Sequence, residues 1–259
     1  MILSSCRVES INLVGPNIFV LRLLSPEIAP RVLPGQFINI KVNDTFIPLL
    51  RRPFSVYHVD GERMEIIFNA VGMGTTILSH KRPGDMLDVL GPLGGCYGTA
   101  GDFETAVLVA GGLGVAPMPL LTQTLRRLSK PIITFLGART GNQIVSTHLE
   151  QVRRSSDDGT AEFHGTVVDQ LRSTLDKQSL RKPKIFGCGP NAMLRSLAQL
   201  ANEYDIPCEV SMESAMACGI GICQGCPLEV SNGEKKYALI CREGPVFDTR
   251  KILMTDGQH

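Results

Sequence analysis

Along the first hundred residues the hydrophobic positions fall in short β-rich runs cut by Pro, Gly and Asp: 6–13, 18–24, QFINIKV (36–42), PFSVYHV (53–59) and MEIIFNAV (64–71). Several short strands at this spacing predict a small barrel or sandwich. One short helical turn is expected at 75–80, after the glycines of VGMGT (71–75).

From residue 105 the pattern changes. TAVLVAGG (105–112) is apolar throughout, and VAPMPLLTQTLRRLSK (115–130) then carries helical spacing with its basic residues late, where a helix terminus favours cations. PIITFLGA (131–138), KPKIFGCG (182–189) and PCEVSM (207–212) predict three more buried strands, and PNAMLRSLAQLANEY (190–204) a helix with Pro at its start. Strand and helix alternate, which predicts a parallel α/β sheet. Cysteine and glycine dominate from about 213. The expected division is 1–100, 101–212 and a small module over 213–259.

The 259 residues are 43% hydrophobic and 20% charged, with a formal net charge of +1. No block of Lys or Arg is long enough to displace counterions from nucleic acid, so that class of partner is not expected. MILSSCRVES carries Arg7 and Glu9 where a signal peptide needs an apolar core. The run 106–121 is broken by Gly and Pro and too short for a membrane span. A soluble, cytoplasmic chain is expected. His58, His80, His148, His164 and His259 are expected at surface or loop positions, and no Ser–His–Asp set is visible.

Cysteine usage adds the sharpest chemistry. Cys6, Cys96, Cys188 and Cys208 are scattered, whereas Cys218, Cys223, Cys226 and Cys241 gather near one end. In a reducing compartment such clustering points to metal before disulfides. The C-x4-C-x2-C spacing of the first three matches plant-type [2Fe–2S] ligation, although the stretch before the fourth is shorter than in those ferredoxins. Gly219, Gly221 and Gly225 permit tight turns that bring backbone N–H groups toward sulfur. A zinc-stabilised interaction protein remains the rival from another class.

Three further motifs suit phosphate and ring binding. RRPFS (51–55) offers an arginine fork and a hydroxyl, and VGMGTTILS (71–79) opens a helix whose free N–H groups suit pyrophosphate. AGGLGVAP (110–117) joins a strand to a helix, the context of a dinucleotide phosphate turn, without being the G-x-G-x-x-G fingerprint. GCGP (187–190) ends a strand at the edge where open α/β sheets bind ligands.

Taken in this order, R-x-x-S, G-x-G-T, G-G-x-G-x-x-P and C-G-P resemble the ferredoxin–NADP⁺ reductase superfamily over essentially the whole chain. The cysteine tail with CREGPVF (241–247), together with RRPFS and GPLGG (91–95), is similar to the electron-transfer subunits of NAD-linked, two-component dihydroorotate dehydrogenases. The resemblance implies an antiparallel FAD-binding β-barrel, a parallel-sheet NAD-binding α/β domain and a [2Fe–2S] module. It implies that Arg52, Pro53, Phe54 and Ser55 hold flavin, with Asn69, Ala70 and Val71 beside its ribityl and phosphate side and Gly74 and Thr75 at its pyrophosphate. Gly111, Gly112, Gly114 and Pro117 would line the NAD phosphates, with Cys188, the candidate catalytic residue, and Gly189 and Pro190 near the nicotinamide. Cys218, Cys223, Cys226 and Cys241 would ligate the cluster.

The implied partner is a catalytic subunit carrying FMN that oxidises dihydroorotate in pyrimidine biosynthesis, two of each chain forming a heterotetramer. Subunits of sulfide dehydrogenases, NADH-dependent ferredoxin–NADP⁺ oxidoreductases and some hydrogenases share nearly all these motifs. The order cluster, FAD, NAD⁺ is the sensible wire, because a flavin exchanges both single electrons and hydride. The loop 217–226 and the segment 242–247 are expected to face the partner. LGARTGNQ (136–143) places Arg139 where a 2′-phosphate could bind, yet the resemblance favours NAD.

Overall fold

A computed structural model describes residues 1–231 and 236–254, so His259 and the end of the expected third module lie outside the described residues. Six strands close an antiparallel barrel in the order β1-β2-β5-β4-β3-β6: β1 (Ile2–Gly15), β2 (Ile18–Leu24), β3 (Phe37–Lys41), β4 (Arg52–Asp60), β5 (Arg63–Asn69) and β6 (Met86–Leu93). The long β1 closes it. Its first half pairs with β6, from Ile2 opposite Gly91 to Arg7 opposite Met86, and its second half with β2, with a register shift between Val8 and Ser10. Such an irregularity bends and twists a strand. Leu21, Leu23, Ile38, Ile40, Val56, Ile66 and Val89 fill the interior with essentially no exposure. The short helix α1 (Met73–Ser79) follows β5, close to the expected turn.

The second sheet runs β10-β9-β8-β7-β11-β12-β15. Its strands β7 (Thr105–Gly111), β8 (Ile132–Ala138), β9 (Val152–Ser156), β10 (Phe163–His164), β11 (Pro183–Cys188) and β12 (Cys208–Ser211) are parallel. Helices cover both faces, as the unbroken apolar runs of β7 and β8 require. On one side α2 (Met118–Arg127) packs Met118, Leu121 and Leu125 with Leu108 and Leu136. On the other, α3 (Val167–Lys177) and α4 (Asn191–Glu203) pack Leu171, Leu194, Leu197 and Leu200 over Val107, Val109 and Phe135. Helix α2 also ties the sheet to the barrel, since Gln123 Nε2 donates to the Val59 carbonyl at 3.0 Å and Leu120 enters the barrel core.

Beyond β12 the chain forms a two-stranded hairpin, β13 (Pro227–Glu229) with β14 (Tyr237–Leu239), and then returns as β15 (Val246–Asp248), antiparallel to β12. The antiparallel barrel, parallel sheet and cysteine-bearing tail agree with the expected architecture. Sequence reading did not anticipate β6, β9, β10, α3 or β15. Among the described residues no helix is long and apolar enough to cross a membrane.

Candidate functional site

The cysteine loop is shaped by left-handed turns at Gly219 (φ 68°), Gly221 (φ 85°) and Gln224 (φ 60°). These turns aim backbone donors at sulfur. The amides of Ile220 and Cys223 each donate to Cys218 Sγ at 3.4 Å, that of Gly221 to Cys241 Sγ at 3.1 Å, and that of Cys241 to Cys226 Sγ at 3.4 Å. The hairpin β13–β14 delivers the fourth thiol: Ile240 N–H donates to the Cys226 carbonyl at 2.9 Å, and Cys241 follows at once. The short final gap is therefore spanned by a hairpin.

Burial opposes ionisation of Cys218, but amide donation from Cys223, Ile220 and Ile222 outweighs it and lowers the thiol to about 6. Burial first, and then the Cys226 sulfur beside it, push Cys241 up to about 12. Cys218 thus sits with Cys223, and Cys226 with Cys241, two pairs whose negative charge a cationic centre would relieve. One zinc would hold its sulfurs about 3.8 Å apart, given ~2.3 Å bonds in a tetrahedron. Among the described residues the only trio of His, Cys, Asp or Glu ligand atoms mutually within 4.8 Å is His58, Glu65 and His148. The four thiols form no such trio, and their grouping as two pairs fits a two-iron cluster, which takes two thiolates on each iron.

Asn39, buried on β3, anchors this loop to the barrel by donating Nδ2 to the Cys218 carbonyl at 3.2 Å.

Between barrel and sheet lies a cavity of about 410 Å³ lined by Pro53, Phe54, Ser55, Asn69, Val71, Thr75 and, from the sheet side, Cys188 and Glu213. Arg52 lies against α1: a Cβ at Gly74 would stand 2.9 Å from its Nε, so a larger residue there would push the arginine side chain aside. Thr75 Oγ1 accepts from the amides of Val71 and Gly72, both at 3.0 Å. The Ala70 amide donates to the Asn17 carbonyl at 3.2 Å, and Asn17 Nδ2 donates back to the Ala70 carbonyl at 2.8 Å. Asn69 Oδ1 is buried without a protein partner, an acceptor that fits a bound ligand with N–H or O–H groups.

A second groove of about 620 Å³ joins it, lined by Asn69, Gly111, Gly112, Pro190 and Met193 and, farther out, by Arg139 and Asp157. Gly112 takes φ +54° with open space around its Cα, while a Cβ at Gly111 would meet Met193 Sδ at 2.6 Å. Gly114, Gly189 and Pro117 line neither space. Gly114 packs on the Cys188–Gly189 backbone, and Pro117 stands at the start of α2, its carbonyl accepting from Leu121 N at 3.3 Å. Burial drives the Cys188 thiol well above its ordinary value, so it is a neutral wall of the cleft.

Glu213 was not among the expected residues. Burial raises its carboxyl, and no periodicity or spacing marks it in the sequence. A separate cavity of about 970 Å³ around Lys182, Lys184, Asp205 and Arg250 contains none of the expected residues.

Comparison with known proteins agrees with this geometry. The family model described as the iron-sulfur cluster binding domain of dihydroorotate dehydrogenase B matches residues 213–253. The electron transfer subunits of dihydroorotate dehydrogenase B (NAD(+)) from Desulforamulus reducens and Bacillus caldolyticus are each 33% identical over 255 residues, covering 95% of this chain and 97% of the relative. The chain is similar to one in the solved structure of an NADH-dependent reduced ferredoxin-NADP oxidoreductase (TM-score 0.86, 25% identity, 96% of this chain and 90% of that one). It shares its fold with phthalate dioxygenase reductase (TM-score 0.66, 15% identity, 90% and 88% covered). With a third of positions identical along nearly its whole length, the chain belongs to the family of dihydroorotate dehydrogenase B electron transfer subunits.

Proposed function

We propose that this chain carries electrons between a catalytic partner subunit that oxidises dihydroorotate and NAD⁺, through a [2Fe–2S] cluster and FAD. One observation carries the reading. Ser211, Met212, Glu213, Ser214 and Met216 line the interdomain cavity, and the same segment runs directly into Cys218. Cleft and cluster loop are neighbours along one short stretch of backbone, as an electron relay requires.

When bound, FAD exchanges hydride with nicotinamide and single electrons with the cluster, which couples a two-electron carrier to a one-electron centre. The chain's residues supply position and potential. Cys218 and Cys223 would hold one iron and Cys226 and Cys241 the other, their amide donors stabilising negative charge on sulfur. Arg52, Gly74 and Thr75 would receive flavin phosphates, while Pro53, Phe54, Ser55, Asn69, Ala70 and Val71 border the rest. Gly111 and Gly112 let a dinucleotide approach the backbone. Gly114, Gly189 and Pro117 set the turns behind the cleft, and Cys188 and Pro190 wall the nicotinamide side. Arg139 and Asp157 border the outer groove together, and the NAD(+)-linked relatives support NAD as the nucleotide.

The division into 1–100, 101–212 and 213–259, a cytoplasmic location, and an assembly of two such chains with two FMN-bearing catalytic subunits belong to the same proposal. Exposed Phe46 (88%), Leu49 (74%) and, in the cluster loop, Ile222 (77%) support docking of a partner.

The likeness to the ferredoxin-NADP oxidoreductase chain favours a second reading, a subunit of an electron-bifurcating enzyme. Reconstitution separates them. Anaerobically prepared chain mixed with the dihydroorotate-oxidising subunit should reduce NAD⁺ at the expense of dihydroorotate, while alone it reduces only artificial acceptors from NADH. Chain that contains neither iron nor acid-labile sulfide, or that fails to couple the two substrates, overturns the proposal.

A further inference from the structure

His58 is half-buried on β4, directly opposite Glu65 on β5, and does not stand in a loop as its sequence context suggested. His148 meets it from the segment between β8 and β9. The two imidazoles stack face to face, 4.0 Å between centroids and 2° between planes. One ring belongs to the barrel and the other to the α/β domain, so the stack closes a seam between them. His58 Nδ1 and His148 Nε2 are each 3.9 Å from Glu65 Oε2, too far for a hydrogen bond.

The charge of Glu65 is already committed. Its Oε1 accepts from Arg22 Nε at 2.8 Å and lies 2.6 Å from Arg22 Nη2. With both rings neutral, Arg22 and Glu65 balance and nothing opposes the stack. A proton on each ring would set two like charges 4.0 Å apart, beside one carboxylate that an arginine already holds. Asp60, also on β4, adds attraction for a charged His58. The remaining ionic groups around the seam are matched: Arg63 with Glu9, Arg126 with Glu150 and Arg154 with Glu162. Partial burial leaves the repulsion less screened than in water.

We propose that the His58–His148 stack is an acid-sensitive latch, which holds barrel and α/β domain together while both rings are neutral and releases them when acidification charges the pair. The inference rests on the electron-carrier reading only for its consequence. Beyond His58 and Glu65, the same two strands carry Phe54, Ser55, Ile67, Phe68 and Asn69 into the flavin cavity, and the segment of His148 follows the strand that brings Ala138 to the nucleotide groove. Opening the seam therefore loosens the two walls between which hydride must pass.

The local structure suits a latch. Tyr57 O–H donates to the Thr147 carbonyl at 3.2 Å, aligning the residues that precede each histidine. His148 adopts φ +66°, a left-handed backbone held where it lays one ring on the other. Its side chain is 38% exposed, so water reaches the pair. Burial, and then the neighbouring His148, hold His58 below its ordinary 6.5. The closed seam thus binds a proton less readily than the open one. Its stability is complete above about pH 6.5 and is lost as pH falls toward the lower folded value. Over that window each proton taken up on opening raises the open fraction about tenfold per pH unit.

The experiment uses the flavin- and iron-loaded chain in complex with its partner subunit. Deuterium exchange of the segments 56–60 and 144–150 is compared between about pH 7.5 and about pH 5.5, corrected for the intrinsic pH dependence of amide exchange. In wild type the corrected rates should rise about tenfold or more in acid, and oxidation of NADH by dyes should fall in parallel. His148→Asn, which tolerates the left-handed backbone, and His58→Gln each leave a single titrating ring. Both should keep flavin, iron and neutral-pH activity and lose the acid response. No acid response in wild type, or an equal response in both variants, overturns the latch. Exchange requires no substrate, so a chain that oxidises no NADH at neutral pH would count against the electron-carrier reading while the exchange comparison still decides the latch.

Discussion

Gly114 faces the backbone of Cys188 so closely that a Cβ at residue 114 would stand 2.1 Å from the Cys188 carbonyl oxygen and 2.6 Å from the Gly189 amide nitrogen. Two glycine-bearing turns, one after β7 and one after β11, are thereby locked together where flavin cleft and nucleotide groove meet. Gly114→Ala must separate them, and backbone cannot step aside as a flexible side chain can. We expect a cost of about 1–3 kcal/mol, the range for overpacking, read as a lower Tm, together with much weaker NADH binding. Gly112→Ala, at φ +54° with nothing within 4 Å, should cost only the left-handed penalty of roughly 1–2 kcal/mol. Equal unfolding temperatures for Gly114→Ala and wild type would contradict this packing.

The cluster loop has a comparable anchor. Asn39 donates to the Cys218 carbonyl, and Gly219 must lack a side chain because a Cβ there would meet Asn39 Nδ2 at 2.1 Å. Asn39→Asp replaces the donor with an acceptor facing a carbonyl. A loss of about 1–3 kcal/mol is expected from the unpaired buried groups, and it should appear as iron and acid-labile sulfide shed during gel filtration, with flavin retained. Full iron retention in this variant would show that the loop holds its shape without the barrel.

How much of this was legible in the sequence differs by element, for physical reasons. The cysteine spacing was legible because metal geometry sets it within ten consecutive residues. β7, β8 and α4 were legible because burial on both faces or on one helical stripe leaves an unmistakable apolar pattern. β9 was not, since VRRSS carries two arginines, and β6 is interrupted by Gly91–Pro92. Helix α3 did carry a local signal: Thr166 and Asp169 exchange hydrogen bonds, Asp169 N–H to Thr166 Oγ1 at 3.1 Å and Thr166 N–H to Asp169 Oδ2 at 3.2 Å, a capping box that T-V-V-D announces. The return of residues 246–248 to the sheet, and the meeting of His58, Glu65 and His148, depend on long-range pairing to which no local pattern points.

Glu213 makes a pH-dependent prediction. Burial raises its carboxyl above the ordinary 4.5, so the folded protein retains a proton that the unfolded chain gives up. The stabilising contribution is complete below pH 4.5 and fades as pH rises through the folded value. Glu213→Gln should therefore match wild type in Tm at acidic pH and exceed it at neutral pH. Because Glu213 borders an open cleft, screening keeps the gain below about 1 kcal/mol. A variant less stable than wild type at neutral pH would show instead that the ionised carboxylate is the form the fold favours.

The last prediction concerns the partner. Phe46, Ile47 and Leu49 stand 88%, 68% and 74% exposed in the segment linking β3 to β4, and Ile222 stands 77% exposed in the cluster loop. β3 carries Asn39, which binds the cluster loop, so the apolar segment emerges from the strand that anchors the thiols. Exposed side chains of this size have nothing to gain in water, and burying them against a partner contributes about 1.5–3 kcal/mol each. Phe46→Asp and Ile222→Asp should leave flavin content, iron content, Tm and NADH oxidation by dyes unchanged, because neither side chain is packed in this chain. Both should weaken association with the catalytic subunit by a factor of ten or more at about 1.4 kcal/mol per decade, and dihydroorotate-linked NAD⁺ reduction should fall accordingly. Size-exclusion chromatography and a titration of one subunit with the other measure this directly. Undiminished association in both variants would place the docking face elsewhere on the molecule.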